Sequence, residues 1–189
     1  WQNENVQSPK CAVNYNPVGM YRKSFKVNQG LADSKGRVNI SFQGVESCYY
    51  VYVNGQEVGY SEDSYSPHSF DITDYLYKNS DGSIDTNADN LLAVEVHKFC
   101  DGTWMEDQDF LYDGGIFRDV YLYATPLIHL EDYFVNVDLD DNYKDATLIL
   151  KDITVSNYST SAIPDGEYAI NVALYHENGV PFMNGWSID

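Results

Sequence analysis

Six carboxylates (Asp101, Glu106, Asp107, Asp109, Asp113 and Asp119), one guanidinium (Arg118) and four aromatic rings (Trp104, Phe110, Tyr112 and Phe117) fall within residues 101–120. These side-chain types suit a sugar. Carboxylates accept hydrogen bonds from hydroxyls or hold a cation that does the same work, while aromatic faces cover the C–H side of the ring. The plainer alternative is a solvated acidic surface loop. A stretch of this length without periodicity is long for a strand connection, and such loops are usually functional.

Glu106 and Asp107 invite reading as a hydrolytic carboxylate pair. Adjacent residues on an extended chain point to opposite sides, a poor arrangement for flanking one bond. Glu106, Asp107 and Asp109 could instead ligate calcium, although they lack the spacing and the glycine of an EF-hand. Arg118 reads as a buried partner for a nearby carboxylate, and Trp104 as a core or interface residue. His68, His97, His129 and His176 are scattered and show no metal-ligand spacing.

The elements that must hold this loop are strands. It leaves one strand pattern (Leu92, Val94 and Val96 against Glu95 and His97) and enters another at Val120 and Leu122. Upstream, Tyr21, Phe25 and Val27 mark a half-exposed strand, and Val38, Ile40 and Phe42 a second after a Gly/Asp/Ser loop. Cys48 to Val53 is apolar on both faces and belongs in the middle of a sheet. Asn54-Gly55 then predicts a two-residue hairpin into Gln56–Tyr60, because both central residues of a type I′ turn need positive φ. A short strand is expected near Phe70, then one helical turn over 71–77 with Thr73 as its cap. Asn16-Pro17-Val18-Gly19 reads as a turn ending an extended arm. Seven or eight evenly spaced short strands argue an all-β sandwich or jelly roll.

Ala124-Thr125-Pro126 is the natural boundary, giving residues 1–126 and 127–189 as two domains. Beyond it, alternation recurs at Tyr133/Val135/Val137/Leu139, Thr147/Ile149/Ile153/Val155 and Tyr168/Ile170/Val172/Leu174. Three strands with a turn-rich tail look like the first part of an immunoglobulin-like sandwich, which needs about seven.

The net charge of -18 repels phosphate backbones and anionic headgroups, so nucleic acid and membrane surfaces are poor partners. Cys11, Cys48 and Cys100 are widely spaced and odd in number, which argues against a zinc site or a disulfide framework. They read as buried thiols in a reducing compartment, and a cytoplasmic location is expected. No apolar run of membrane length and no signal peptide pattern is present. A start at Trp1 without methionine suggests an excised piece.

Asn16-Pro17-Val18-Gly19-x-Tyr21, Phe42-x-Gly44-Val45, Val53-Asn54-Gly55-x-x-Val58-Gly59, Phe70-Asp71-Ile72-Thr73 and Gly115-Ile116-Phe117-Arg118-Asp119-Val120 follow one another in an order. That order resembles the N-terminal sugar-binding domain of glycoside hydrolase family 2, a galactose-binding-like jelly-roll β-sandwich. Glu106-Asp107-Gln108-Asp109 and Val58-Gly59-Tyr60-x-x-Asp63-Ser64 are similar to the large β-galactosidases of that family, and residues from Leu127 to the start of their Ig-like second domain. The resemblance implies a parent enzyme that hydrolyses terminal β-galactosyl bonds such as lactose with retention. Its two catalytic glutamates would lie in a (β/α) barrel outside this sequence, so these 189 residues alone are expected to be inactive. No catalytic residue is assigned here. The resemblance implies Asp109 as the substrate-binding residue and, with the barrel in place, as a ligand of sodium. No cofactor is expected for this part alone, while the resemblance implies sodium in the enzyme and allows magnesium. The implied partners are the β-galactoside, the barrel and further copies in a homo-oligomer. A free-standing carbohydrate-binding module, a purely structural domain that scaffolds oligomer contacts, and a β-glucuronidase or β-mannosidase of the same family are the alternatives.

Overall fold

The structure, a computed structural model, describes residues 10–11, 14–34, 36–106, 108–163 and 166–182. In chain order the elements are β1 (Val18–Phe25), a one-turn helix α1 (Gln29–Asp33), β2 (Arg37–Phe42), β3 (Val45–Glu46), β4 (Cys48–Val53), β5 (Gln56–Glu62) and β6 (His68–Asp71). There follow β7 (Asn90–His97), β8 (Gly115–Ile116), β9 (Val120–Thr125), β10 (Ile128–Leu139) and β11 (Ala146–Asn157). Short 3-10 turns occupy Thr73–Tyr75 and Gly102–Trp104. The chain forms two compact units, Trp1–His129 and Leu130–Asp189.

The first unit is an all-β sandwich. One sheet runs β1-β7-β4-β5 and the other β6-β2-β9, with the small pair β3-β8 beside them. The alternation in β2 sends Val38, Ile40 and Phe42 inward. They meet Tyr49, Val51 and Val53 from β4 and Val94 and Val96 from β7 in one buried cluster. At one end, Phe42, Tyr49 and Phe70 close as a ring triad with centroids 5.0, 6.1 and 6.0 Å apart. Cys48–Val53 is an interior strand, as its two apolar faces require. The hairpin turns at Asn54 (φ 51°) and Gly55 (φ 81°), both in the left-handed region.

Four local expectations are corrected. The Gly/Asp/Ser loop contains α1, whose N-cap is Asn28; its Oδ1 accepts from Leu31 N at 2.9 Å. Thr73 does not cap the turn after β6. Asp71 Oδ1 accepts from Thr73 N at 2.9 Å, and the Thr73 hydroxyl reaches across to β2, accepting from Val38 N at 2.7 Å. Aspartate two residues ahead of a turn competes successfully for its first amide. Asn16-Pro17 does not turn either: Asn16 Nδ2 donates to Phe99 O at 2.8 Å while its Oδ1 accepts from Phe99 N at 3.0 Å. The amide side chain imitates a strand neighbour and carries the ladder past the end of β1.

The fourth correction concerns the second unit. β10 and β11 pair as a two-stranded sheet, closed where Asp140 N donates to Asp145 O at 3.0 Å. The alternating stretch 168–174 forms no strand. Ile170, Val172 and Leu174 instead line a groove with Leu130, Val135, Leu148 and Leu150. The alternation turns these side chains toward a sheet face without forming a ladder, and Ile170 and Leu174 stay exposed.

Candidate functional site

The stretch from Lys98 to Asp119 joins β7 to β9 through five successive anchors. At its start Lys98 N donates to Pro17 O at 3.0 Å, which extends the β1–β7 pairing into the loop. The 3-10 turn is closed by Cys100 N donating to Thr103 Oγ1 at 3.0 Å and by Met105 N donating to Gly102 O at 2.8 Å. The Glu106 carboxylate then reaches Ser64, in the loop between β5 and β6. Its Oε1 accepts from Ser64 N at 2.6 Å and its Oε2 from Ser64 Oγ at 2.8 Å. Phe110 packs on Tyr65 at 5.8 Å, edge to face. Finally Gly114 N donates to Glu46 Oε2 at 2.7 Å, and Gly115–Ile116 pairs with Val45–Glu46.

Gly115 is required at that last anchor. Its φ is 101°, and a β-carbon there would lie 2.6 Å from the Tyr21 hydroxyl.

Arg118 is placed differently from the sequence expectation. It is exposed and forms no ion pair among the described residues. One Nη1 donates to Gln43 O at 3.2 Å and to Tyr65 O at 2.8 Å, and the guanidinium lies over the Phe117 and Tyr65 rings at 5.2 and 5.8 Å. Backbone carbonyls and ring faces together satisfy a planar cation without a carboxylate. Trp104 is likewise not a core residue: it is exposed, with Nε1 donating to Lys10 O at 3.0 Å.

Asp109 is exposed, and its carboxylate has neither hydrogen bond nor ion pair among the described residues. Arg118 does not bind it. Glu106 is turned to Ser64 with both oxygens occupied, so it is neither a free acid nor part of a calcium cage with Asp109. Asp107, the third member of that alternative, lies outside the described residues.

The four histidines are scattered, as their spacing implied. His97 Nε2 lies 3.0 Å from Glu95 Oε1, His68 and His176 pack on Phe70 and Phe182, and His129 Nδ1 lies 2.8 Å from Pro126 O. All three cysteines are free, with Cys48 and Cys100 buried and Cys11 half-buried. A hydrogen bond between Cys48 and Cys100 lowers the Cys100 thiol and raises that of Cys48. Glu62, Cys100 and Asp101 bring ligand atoms within 4.8 Å of one another, a grouping drawn from two distant stretches of sequence.

Ser64 and Tyr65 emerge as the receiving surface for Glu106, Phe110 and Arg118. The motif containing Ser64 was visible in the sequence, but its role was not. Glu46 had only one sequence signal, a carboxylate inside an otherwise apolar segment.

The fold is a two-sheet β-sandwich that carries a multiply anchored acidic-aromatic loop. Residues 4–126 match the family described as "Glycosyl hydrolases family 2, sugar binding domain". The chain belongs to glycosyl hydrolase family 2. It is 44% identical to a β-galactosidase of Priestia megaterium over 177 residues, covering 94% of this chain and 16% of the relative. It is also 44% identical to a β-galactosidase of Clostridium acetobutylicum, covering 85% of this chain and 17% of the relative. The chain therefore spans about a sixth of the length of these curated relatives. The crystal structure of a Bacteroides uniformis β-glucuronidase superposes with a TM-score of 0.58 at 26% identity, over 72% of this chain and 16% of that one. No helix of the described residues is long and apolar enough to cross a membrane.

Proposed function

We propose that this chain is the sugar-binding domain of a β-galactosidase that hydrolyses terminal β-galactosyl bonds with retention, and that Asp109 is its contact with the sugar. The observation that carries this reading is the 44% identity to β-galactosidases across 94% of the chain, against 26% to the glucuronidase structure. Retaining hydrolysis needs a nucleophile and an acid/base about 5–5.5 Å apart, flanking the scissile bond. Glu106 is committed to Ser64, so within this reading both groups come from the barrel.

The task left to this domain is binding and orientation. An exposed carboxylate accepts hydrogen bonds from sugar hydroxyls, and any such bond that tightens in the transition state accelerates the step. Asp109 also offers the hard oxygen donor that a sodium ion takes; the other ligands belong to the barrel. Bound sodium would fix sugar hydroxyls by coordinating them. Magnesium as a second ion, a homo-oligomeric assembly and a cytoplasmic location belong to the same proposal.

The test uses the full-length enzyme on a chromogenic β-galactoside, with sodium titrated. Asp109→Asn keeps the shape and removes the charge. A hydrogen bond to a charged group contributes about 1.5–3 kcal/mol, so kcat/KM should fall about 10- to 100-fold, and the sodium dependence should weaken. Unchanged kinetics and sodium response in Asp109→Asn overturn the assignment. The 189-residue chain alone should show no turnover. Turnover that survives repurification and disappears in Asp109→Ala would overturn the location of the chemistry.

A further inference from the structure

We infer that Glu106 is a positioning residue for Asp109, clamping the loop onto Ser64 so that the Asp109 carboxylate is presented at a fixed height. The inference rests on the reading of Asp109 as a sugar and sodium contact and extends it to residues that touch neither. Three observations carry it.

First, the Glu106 carboxylate is held at both oxygens by one residue, at 2.6 Å to Ser64 N and 2.8 Å to Ser64 Oγ. Charge-assisted bonds of this length are the strong kind. Second, the receiver is fully buried: Ser64 is 0% exposed. Third, the other side of Asp109 is tied to the next residue of the same receiver, with Phe110 packed on Tyr65 at 5.8 Å. Tyr112 OH donates to Glu106 O at 2.8 Å and fastens the following stretch back onto the clamp. Asp109 thus sits between two anchors that both land on Ser64-Tyr65. Between those anchors the Asp109 carboxylate is exposed and, among the described residues, has no hydrogen bond or ion pair.

A loop released at Glu106 would spread Asp109 over many orientations. Each productive encounter would then require re-ordering the loop, and binding weakens by the fraction of time it is correctly placed. Glu106 acts in this account through Asp109. The prediction is therefore a loss of coupling, distinct from a general loss of stability.

The experiment measures sodium activation and KM in the full-length enzyme for Asp109→Asn, Glu106→Ala, Glu106→Gln, Ser64→Ala and the double variant Glu106→Ala/Asp109→Asn. Glu106→Ala should raise the sodium midpoint and KM about tenfold, with thermal unfolding checked alongside. Glu106→Gln should recover most of that loss, because the amide can still accept from Ser64 N and can donate to Ser64 Oγ. The double variant should be no worse than Asp109→Asn, since residues acting through one another are non-additive. If Glu106→Ala fails to fold, Ser64→Ala carries the same test with one bond removed, and it should show a smaller shift in the same direction. An unchanged sodium midpoint in Glu106→Ala (or, where that variant does not fold, in Ser64→Ala) overturns the clamp, provided Asp109→Asn does shift it. So does a double variant whose losses simply add. If Asp109→Asn itself leaves the sodium response unchanged, the reading of Asp109 fails, and the clamp fails with it for that separate reason.

Discussion

Gly55 has φ 81°, and nothing lies within 4 Å of where its β-carbon would stand. A substitution there meets no steric neighbour, so its whole effect is the backbone conformation. A left-handed residue with a side chain costs roughly 1–2 kcal/mol, and β-branching adds to it. Gly55→Val should lower the thermal midpoint by several degrees while leaving ligand contacts at Asp109 unaltered; an unchanged melt would contradict the type I′ assignment. The Asn-Gly pair was legible because a turn is local chemistry, decided by two adjacent residues. The role proposed for Asp109 comes only from family resemblance, since an exposed carboxylate carries no signature of its own. The Glu106–Ser64 clamp was not legible, because its partners lie 42 residues apart and only the folded sheets bring them together.

Arg37, the first residue of β2, joins three elements. It bonds Asp71 at the end of β6 and reaches Asp74 in the following 3-10 turn at 2.8 Å, where Lys78 adds a contact at 3.3 Å. The Arg37 hydrogen bond holds the Asp74 carboxyl below its ordinary value. A carboxylate depressed in the folded state contributes stability that is fully present above the unfolded value, about 4, and is lost as pH falls through the folded one. Asp74→Asn should therefore be less stable than the parent at neutral pH, with the difference shrinking as pH drops below about 4. Denaturant melts at pH 7 and pH 3 measure it; a gap that widens toward acid would refute the linkage. Among the elements, the strands announced themselves where one face is buried, as in β2 with Val38, Ile40 and Phe42. What misled was polar competition. Asn28 starts a helix inside a loop-like composition, the Thr73 hydroxyl is drawn to Val38 N while Asp71 accepts from Thr73 N, and Ile170, Val172 and Leu174 alternate without a ladder partner.

Two forces of opposite sign act on the molecule as a whole. The second unit exposes Tyr133, Phe134, Val135, Val137 and Leu139 on β10 and Ile149, Ile153 and Val155 on β11, with Tyr168 and Leu174 beyond them. A two-stranded sheet is marginal in water, and exposed apolar area on this scale drives association. Against it stands the net charge of -18, which repels another copy. Salt separates the two forces. The screening length is about 30 Å at 0.01 M and about 3 Å at 1 M, so repulsion acts between whole molecules in dilute buffer and vanishes at high salt, while apolar burial does not weaken. The 189-residue chain should therefore sediment mostly as a monomer at about 0.01 M salt and shift toward dimers or larger species as salt rises toward 1 M. In dilute buffer a protease should cut beyond Ser156 before it cuts the first unit, because among the described residues there (158–163 and 166–182) the backbone has few ladder bonds to hold it. Association would then protect those same residues at high salt. A monomer at every salt concentration whose residues 157–182 resist cleavage would mean that the apolar face of β10 and β11 is already satisfied within one copy.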